Sequence, residues 1–474
     1  MNELTIPIDL NSKLHIYEQI YEYIRNEILE GRLTQGERLP SSRALATHLQ
    51  ISRSTVNLAY EQLLAEGYLE AFRGKGYFVT KIETVLHMGK EKVEQVQSEA
   101  GESRYRYHFT PNGIDMSEFP YQTWRRISKE VLNSGRKELF SLGHPQGDLN
   151  LREIIAQYLF AARGVICRPE QIVVGAGNDY LLILLQMLLE KNSVLAFENP
   201  TYTKAYHIFE NLGYDTRLVG MDESGIKIKE LEESGADIAY VMPSHQFPTG
   251  IVMPIGRRNE LLKWSYEKEG RYLIEDDYDS EFRYRGKPIP ALQGMDRKGK
   301  VIYIGTFSKA IAPTIRVSYM VLPEGLLEIY KDRGQLISST VSRIDQQILE
   351  EFIRCGAFER HLNRMRKIYK GKHDFLLECL KPYQKRFRVK GDHAGSHILL
   401  CAKQNVDEES LRKKAGEAGI KIYCLSDYIL QSEMKIKYSP TIILGYVGME
   451  MEDIEQGISE LMKVWENIDE TDKV

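Results

Sequence analysis

The chain has little cysteine, and the few that it has are poorly placed for a stabilising framework. Only five of its 474 residues are cysteine. Their number is odd and their spacing is wide, which argues against both a disulfide framework and a metal site. We therefore expect free thiols in a reducing cell interior and no bound metal. The five positions are Cys167, Cys355, Cys379, Cys401 and Cys424.

Long apolar runs are also missing. The longest, at 181–189, is interrupted by Gln186 and is too short to cross a bilayer. The N-terminus shows no pattern typical of a secretion signal. We therefore expect a cytoplasmic protein with no membrane partner. The apolar content of 42% still suffices for one large domain and a small one.

The most informative side chain is a lysine, Lys309, which ends a Thr-Phe-Ser-Lys run directly after an apolar, strand-like segment. A lysine forms an imine only as the free amine, so a useful one is desolvated or lies near positive charge. Arg316 supplies such a charge, and its planar guanidinium also binds phosphate bidentately. With the hydroxyls of Thr306 and Ser308 completing a phosphate site, the pattern predicts a lysine that holds pyridoxal 5′-phosphate.

An acidic run ends another strand-like segment upstream of this lysine. Pyridoxal chemistry needs a protonated ring nitrogen, and a carboxylate held against that nitrogen keeps it protonated. We predict that Asp276 has this role and that Tyr278 points at the ring hydroxyl. Taken singly, a Ser-Lys pair before a helix and an acidic loop are both common features. Together, in this order and at strand ends, they favour a cofactor site.

Strand-like segments alternate with helical ones through the middle of the chain, which predicts an α/β fold with a mainly parallel sheet. The ligand site is then expected where the strands end. After Glu324 the pattern changes to long helices and then to a smaller α+β part with strands at 387–389 and 397–401. The five predicted strands of the large part are 172–174, 194–197, 238–242, 272–275 and 301–304.

Four further stretches resemble the fold type I, aspartate-aminotransferase-like family, and the resemblance covers the chain from about Phe109 onwards. They are the segments 143–147, 172–179, 198–202 and 245–250. The resemblance implies that Tyr202 stacks on the cofactor ring. It also implies that the turn of Gly175, Ala176 and Gly177 directs backbone N–H groups at the phosphate from a helix N-terminus. A homodimer with its sites at the interface is implied as well.

The chain departs from this family at three positions. Phe247 replaces an asparagine that contacts the ring oxygen, and Leu142 replaces a tyrosine that reaches the neighbouring subunit's phosphate. Ile443 stands where the family has the arginine for an α-carboxylate. Because a buried carboxylate without a partner is costly, ordinary amino acid transamination is disfavoured. His245 and His397 are either structural or in contact with cofactor or effector, and the sequence leaves both readings open.

The first eighty residues show a different pattern. Isoleucines recur every fourth position from Ile16 to Ile28, which predicts one apolar helix face. A short helix opening at Ser41 and Ser42 follows, and a third begins at Ser52. Two strand pieces around the basic, glycine-rich tip at 73–76 then predict a wing.

This order of elements favours DNA binding, because the first residues of a recognition helix reach base edges and arginine reads guanine bidentately. From residue 31 to 81 there are seven Lys or Arg and four Asp or Glu, although the whole chain carries −4. A merely solvated basic surface is the alternative. The predicted DNA contacts are Ser42, Arg43, Ser52, Arg53, Ser54, Thr55, Arg73, Lys75 and Gly76.

The N-terminal segment resembles the GntR-type winged helix, and its combination with the second part resembles the MocR subfamily. We expect a winged helix-turn-helix at 1–81, a flexible linker at 82–107 and a pyridoxal-phosphate-binding, dimerising domain at 108–474. The resemblance implies a DNA-binding transcriptional regulator. In it an amine or amino acid effector displaces Lys309, forms an external aldimine and alters DNA binding. The alternatives are a functional aminotransferase, a sensor of pyridoxal phosphate that controls vitamin B6 synthesis, and an inactive domain kept for dimerisation.

Overall fold

The computed structural model divides the chain into two compact units, Met1–Gly101 and Glu102–Val474. The predicted linker at 82–107 lies, up to residue 104, outside the described residues. No described helix is both long and apolar enough to pass through a membrane. The described residues are 4, 6–9, 12, 14–81, 105–133, 135, 137–284, 289–403, 406–431 and 438–466.

The first unit is three helices followed by a hairpin, in the predicted order. Its core is formed by the isoleucine face of the first helix, with Ile20 and Ile24 fully buried against Val56 and Tyr60 of the third. The strands pair antiparallel across a tight turn at the wing tip. The elements are α1 (Ile16–Leu29), α2 (Ser42–His48), α3 (Arg53–Ala65), β1 (Leu69–Phe72) and β2 (Gly76–Val79).

The second unit is larger and contains the remaining helices, which cover its sheets. The long helices after residue 324 follow the predicted change of pattern. The helices are α4 (Tyr121–Asn133), α5 (Leu149–Arg163), α6 (Asn178–Gln186), α7 (Thr203–Asn211), α8 (Ile228–Glu233), α9 (Ile255–Tyr266), α10 (Glu324–Arg333), α11 (Arg343–Arg354), α12 (Ala357–Leu380), α13 (Glu408–Glu417) and α14 (Met451–Glu466).

An eight-stranded sheet forms the centre of this unit, in the order β4-β11-β10-β9-β8-β5-β6-β7. The inner strands from β10 to β6 are parallel, while β11 runs antiparallel to both of its neighbours and β7 to β6. The predicted mainly parallel sheet is present. Its strands are β4 (Ile172–Gly175), β5 (Val194–Asn199), β6 (Asp215–Asp222), β7 (Gly225–Ile226), β8 (Ile238–Val241), β9 (Tyr272–Asp277), β10 (Val301–Thr306) and β11 (Ser318–Val321).

A smaller α+β part follows, built on an antiparallel four-stranded sheet of order β12-β13-β16-β15. A separate two-stranded parallel sheet joins β3 to β14. The strands are β3 (Tyr107–His108), β12 (Phe387–Lys390), β13 (His397–Ala402), β14 (Ile420–Lys421), β15 (Tyr423–Cys424) and β16 (Thr441–Gly445).

The end of the predicted linker differs from expectation. The Arg106 N–H donates to the Gly419 carbonyl at 2.7 Å, and Tyr107 is buried in β3. These two residues belong to the second unit and not to a linker. An extended segment that pairs with a distant strand carries little periodic signal, and so its pairing was hidden in the sequence.

Candidate functional site

The ends of two adjacent parallel strands bring the predicted lysine and aspartate to the same edge of the sheet. In the register of β9 and β10, Asp276 lies opposite Ile304, and Lys309 follows three residues beyond the end of β10 at Thr306. Carboxyl ends of parallel strands are where open α/β sheets bind ligands. Both predicted residues therefore lie where such a fold forms its site.

Lys309 has an environment that favours the free amine. Its Nζ donates to the Pro111 carbonyl at 3.3 Å and to Asn112 Oδ1 at 3.5 Å, and both of these acceptors are neutral. Burial lowers the pKa of Lys309 to about 8, against a smaller opposing effect of Asp279. An amine with such a pKa is partly neutral near physiological pH, as a nucleophilic lysine requires.

Asp276 is buried at the end of β9. Its Oδ2 accepts hydrogen bonds from the Tyr240 hydroxyl and, at 3.2 Å, from Asn178 Nδ2. Burial raises the pKa of Asp276 to about 6, although the Tyr240 and Asn178 donors oppose the shift. A cation placed beside this carboxylate would favour its ionised form. Tyr240 and Asn178 were not predicted, because no local pattern reveals which side chains face a distant strand end.

Tyr278 lies beside a buried, hydrogen-bonded histidine–aspartate pair. His245 Nδ1 is 2.9 Å from Asp279 Oδ2 and 3.0 Å from the Tyr278 hydroxyl. His397 instead donates from Nε2 to the Pro248 carbonyl at 2.9 Å. Both histidines that the sequence left open are thus buried and hydrogen-bonded to the chain.

Phe247 occupies the middle of an aromatic cluster. It is buried, and its ring meets four neighbours edge to face. The centroid distances are 6.2 Å to Tyr202, 5.9 Å to Tyr278, 5.5 Å to His397 and 5.0 Å to Tyr428. A phenyl ring cannot donate a hydrogen bond, so this position contributes shape and no polar contact. Tyr202, the predicted stacking residue, belongs to the same aromatic cluster.

Arg316 lies over the predicted phosphate turn. It has a left-handed backbone, φ 50°, and its Nη2 is 3.4 Å from the Ala176 carbonyl and 3.5 Å from Asp179 Oδ2. A Cβ added to Gly177 would collide with the guanidinium. Glycine at this position therefore permits the close approach of arginine and turn.

The predicted donors of this turn have partners within the chain. The Ala176 N–H donates to Thr340 Oγ1 at 3.0 Å and the Gly177 N–H to the Gly175 carbonyl at 2.8 Å. A phosphate would have to take these donors over. Thr340 comes from a distant loop and was not predicted.

The two hydroxyls predicted to complete the phosphate site lie beside the lysine. Thr306 Oγ1 accepts from Ser318 Oγ at 2.9 Å and from the Ser308 N–H at 3.1 Å. The buried Ser308 Oγ has no hydrogen-bond partner among the described residues. A buried hydroxyl without a partner costs free energy, which a phosphate oxygen would recover.

The other two departures from the aminotransferase pattern differ in exposure. Ile443 is fully buried in β16, where it pairs with Leu399 and Tyr423. Leu142 is 89% exposed. An isoleucine at position 443 leaves that strand without the guanidinium that binds an α-carboxylate in the family.

The predicted DNA-binding surface lies on the first unit. Ser52 caps α3, because its Oγ accepts from the Thr55 N–H at 3.2 Å. The same Oγ is 2.7 Å from the hydroxyls of Ser54 and Thr55. Among the predicted DNA contacts, the exposed side chains are Arg43, Ser52, Arg53, Ser54, Arg73 and Lys75, and Thr55 and Gly76 are intermediate.

Ser42 is the exception, since it is buried, and its burial argues against the predicted contact with DNA. The neighbouring Ser41 caps α2 by accepting from the Ala44 N–H at 3.2 Å. A side chain that the sequence did not single out, Arg38, is exposed and lies 3.3 Å from a Cβ placed on Gly76. It therefore adds a cation at the wing.

Two family models match the chain, one for each part. Residues 16–79 match "Bacterial regulatory proteins, gntR family", and residues 114–439 match "Aminotransferase class I and II". Named relatives share the whole arrangement, among them the probable rhizopine catabolism regulatory protein MocR of Rhizobium meliloti. It is 31% identical over 96% of this chain and 94% of its own length. The chain belongs to the MocR-like subfamily of GntR transcriptional regulators.

Other relatives of this MocR-like regulator are similar along nearly their full length. The HTH-type regulator YdeL of Bacillus subtilis is 39% identical over 96% of this chain and 98% of that protein. The pyridoxine biosynthesis regulator PdxR of Corynebacterium glutamicum is 31% identical over 90% of this chain and 91% of its own. Because a GntR helix-turn-helix is present, DNA is the partner of the first unit.

Solved structures confirm the fold of the second unit. Pyrococcus horikoshii kynurenine aminotransferase superposes with a TM-score of 0.69 at 23% identity, covering 83% of the MocR-like chain and 98% of that enzyme. An archaeal alanine:glyoxylate aminotransferase gives a TM-score of 0.68 at 25% identity, covering 76% and 90%. The predicted aminotransferase fold is therefore correct.

Proposed function

We propose that this MocR-like regulator binds pyridoxal 5′-phosphate covalently at Lys309 and changes its DNA binding when an amine or amino acid reacts at the same site. One observation carries the proposal. A lysine with a lowered pKa and a buried aspartate lie at adjacent strand ends, in a chain whose other unit is a GntR winged helix.

The chain's residues fit this cofactor. Lys309 Nζ would bond to the aldehyde carbon, Asp276 would hold the ring nitrogen, Tyr278 the ring oxygen and Tyr202 the ring face. Two features are compatible with a bound phosphate: the Ser308 hydroxyl has no partner among the described residues, and Gly177 leaves room for the Arg316 guanidinium. When bound, the cofactor supplies an aldehyde that reacts with amines and a ring that withdraws electrons. The residues proposed for the phosphate are Arg316, Thr306, Ser308, Gly175, Ala176 and Gly177.

An effector amine would act by taking the place of Lys309. The released Nζ would then be free to donate to the Pro111 carbonyl and Asn112 Oδ1, as it does in this structure, and the charge and contacts of the site would change. Such a change alters DNA binding only if the effector prefers one conformation of the protein over another. The effector's differential affinity therefore sets the size of the response.

We further propose that Arg53, Ser52, Ser54 and Thr55 contact DNA from the start of α3, with the wing cations alongside. A homodimer would supply two such surfaces. Large apolar side chains on the second unit support this association, since Phe140 is 76% and Leu142 89% exposed. Burying exposed apolar surface of this kind favours association.

A second candidate function is sensing of pyridoxal phosphate itself, and the similarity to PdxR favours it. In that case the cofactor alone would change operator binding without any amine. A functional aminotransferase is disfavoured by Ile443. Titrating DNA binding first with pyridoxal phosphate and then with amines separates these functions.

The direct test is DNA binding by the wild type and by Lys309→Ala, each with and without cofactor and a panel of amines. We expect the variant to keep its DNA affinity within about twofold and to lose every response to amines. The exposed Lys229, whose side chain forms a surface ion pair with Glu233, gives the control variant Lys229→Ala, for which we expect an unchanged response. An amine response that survives in Lys309→Ala contradicts the proposal.

A further inference from the structure

The buried pair of His245 and Asp279 lies directly behind the tyrosine of the cofactor site. Both side chains are only 2% exposed, and they come from different segments of the large sheet's edge. His245 lies in the loop after β8 and Asp279 follows β9. Nothing in the proposed function uses this pair. Its position nevertheless connects it to the Tyr278 hydroxyl.

The proton positions of this pair follow from what each atom can do. A carboxylate can only accept, so His245 Nδ1 carries a proton and donates it to Asp279 at 2.9 Å. The Tyr278 oxygen, 3.0 Å from the same Nδ1, can only share that proton as an acceptor. Its own hydroxyl proton is then free to point elsewhere. His245 Nε2 has no hydrogen-bond partner among the described residues.

Tyr278 remains a phenol and so keeps a proton to donate. Burial, followed by the charge of Asp279, raises the pKa of Tyr278 well above its ordinary value. The hydroxyl proton has two competing acceptors, the Asp279 carboxylate and the cofactor's ring oxygen. The groups whose charge acts on these residues are Asp276, Asp277, His397 and Lys309.

The neighbouring backbone packs closely against the pair. Gly395, with φ 85°, packs so closely that a Cβ there would collide with His245 and approach Asp279 Oδ2 to 2.9 Å. The Gly395 carbonyl is itself held by the Tyr284 hydroxyl at 2.6 Å and the Tyr446 hydroxyl at 2.8 Å.

We propose that His245 and Asp279 are positioning residues that direct the Tyr278 hydroxyl at the cofactor's ring oxygen, in place of the asparagine that Phe247 has replaced. The His245 N–H donates to Asp279 and so competes with the Tyr278 hydroxyl for that carboxylate, which leaves the Tyr278 hydroxyl to donate to the ring oxygen and stabilise its ionised form. The inference rests on the proposed function, since it requires the cofactor at Lys309.

The measurement is the pH midpoint of the change in visible absorption of protein-bound pyridoxal phosphate. In His245→Leu, the Tyr278 hydroxyl donates its hydrogen bond to Asp279, and the ring oxygen loses its donor. We expect the midpoint to rise by about one pH unit, a tenfold change in proton affinity. His245→Asn keeps a donor near the Nδ1 position, so we expect its midpoint to lie nearer to wild type than that of His245→Leu.

The second member of the pair gives the opposite sign. Asp279→Asn removes the competing carboxylate, so we expect the midpoint to fall. When His245→Leu is added to Asp279→Asn, we expect no rise, because the charged acceptor that competes for the Tyr278 hydroxyl is absent. His373→Leu removes another buried histidine that is paired with an aspartate, and we expect no shift. General structural damage would not reverse sign between two contacting residues.

Two outcomes overturn the inference. They are an unchanged midpoint in soluble, cofactor-loaded His245→Leu, and shifts of the same sign in His245→Leu and Asp279→Asn. If His245→Leu does not fold, Asp279→Asn still decides the matter, because a midpoint that rises or stays unchanged in that variant contradicts the inference. Failure of the wild type to form a visible band contradicts the proposed function instead, and the inference then fails with it.

Discussion

A single depressed pKa separates Lys309 from the exposed lysines of the chain. At a pKa of about 8, roughly a tenth of its amine is neutral at pH 7. An ordinary lysine with a pKa of 10.5 is neutral to only about one part in three thousand at that pH. Burial next to the neutral acceptors Pro111 and Asn112 produces this difference. Asp279 opposes the shift without cancelling it.

This difference predicts how fast pyridoxal phosphate attaches. Because the neutral amine reacts, the attachment rate should rise about tenfold between pH 6 and 7 and level off above pH 8 to 9. The growth of visible absorbance after mixing measures the rate. Lys309→Ala supplies the background from surface lysines, which continues to rise. A wild-type attachment rate that still rises tenfold per pH unit between pH 9 and 10 would contradict a lowered pKa at Lys309.

At the scale of elements, α3 has the exposed face and exposed N-terminal turn that a recognition helix needs to enter a DNA groove. Its buried face holds Val56 and Tyr60 against α1, so the opposite side and the N-terminal turn remain exposed. The hydroxyls of Ser52, Ser54 and Thr55 form one connected group at that turn. Arg53 extends from the same turn with its side chain exposed, in the position from which a recognition helix reads bases.

Arg53→Ala should therefore remove sequence-specific DNA binding. We expect a loss of about 1–3 kcal/mol in discrimination, roughly five- to 150-fold, with the cofactor spectrum unchanged. A fluorescence titration with specific and scrambled duplexes at fixed salt measures it. Arg32 is paired with Glu27 and Glu30, so Arg32→Ala is the matched control. Equal losses on both duplexes would show that Arg53 contacts phosphate only.

Some parts of the fold and of the candidate site could be predicted from the sequence, and others could not. The positions of Lys309, Asp276 and α3 were predictable from local sequence. A strand followed by a polar turn, or a helix cap next to an apolar stripe, involves only residues that are neighbours in the chain. Asn178, Tyr240 and Thr340 were not, because their contacts depend on which strands lie side by side. Ser42 shows the remaining error, since the first residue of α2 is buried although its side chain was expected at the DNA-binding surface.

At the scale of the whole molecule, one chain joins a DNA-binding unit to an aminotransferase-like unit. The second unit keeps the lysine, aspartate and phosphate turn of that fold, but replaces the asparagine by Phe247 and the arginine by Ile443. Under the proposed function, these changes would retain the residues that bind the cofactor and remove groups that serve amino acid turnover in the aminotransferase family. A regulator of the proposed kind would need binding and exchange at the site, and turnover would only consume its effector.

The covalent attachment itself gives the most direct measurement. Purified protein loaded with pyridoxal phosphate is reduced with borohydride, digested and analysed by mass spectrometry. We predict one dominant pyridoxyl adduct, on the peptide that carries Lys309. The peptide with Lys372, which is also buried but bonded to Asp115 at 2.7 Å, should remain unmodified. An adduct spread over many lysines, or its absence from Lys309, would contradict the central claim.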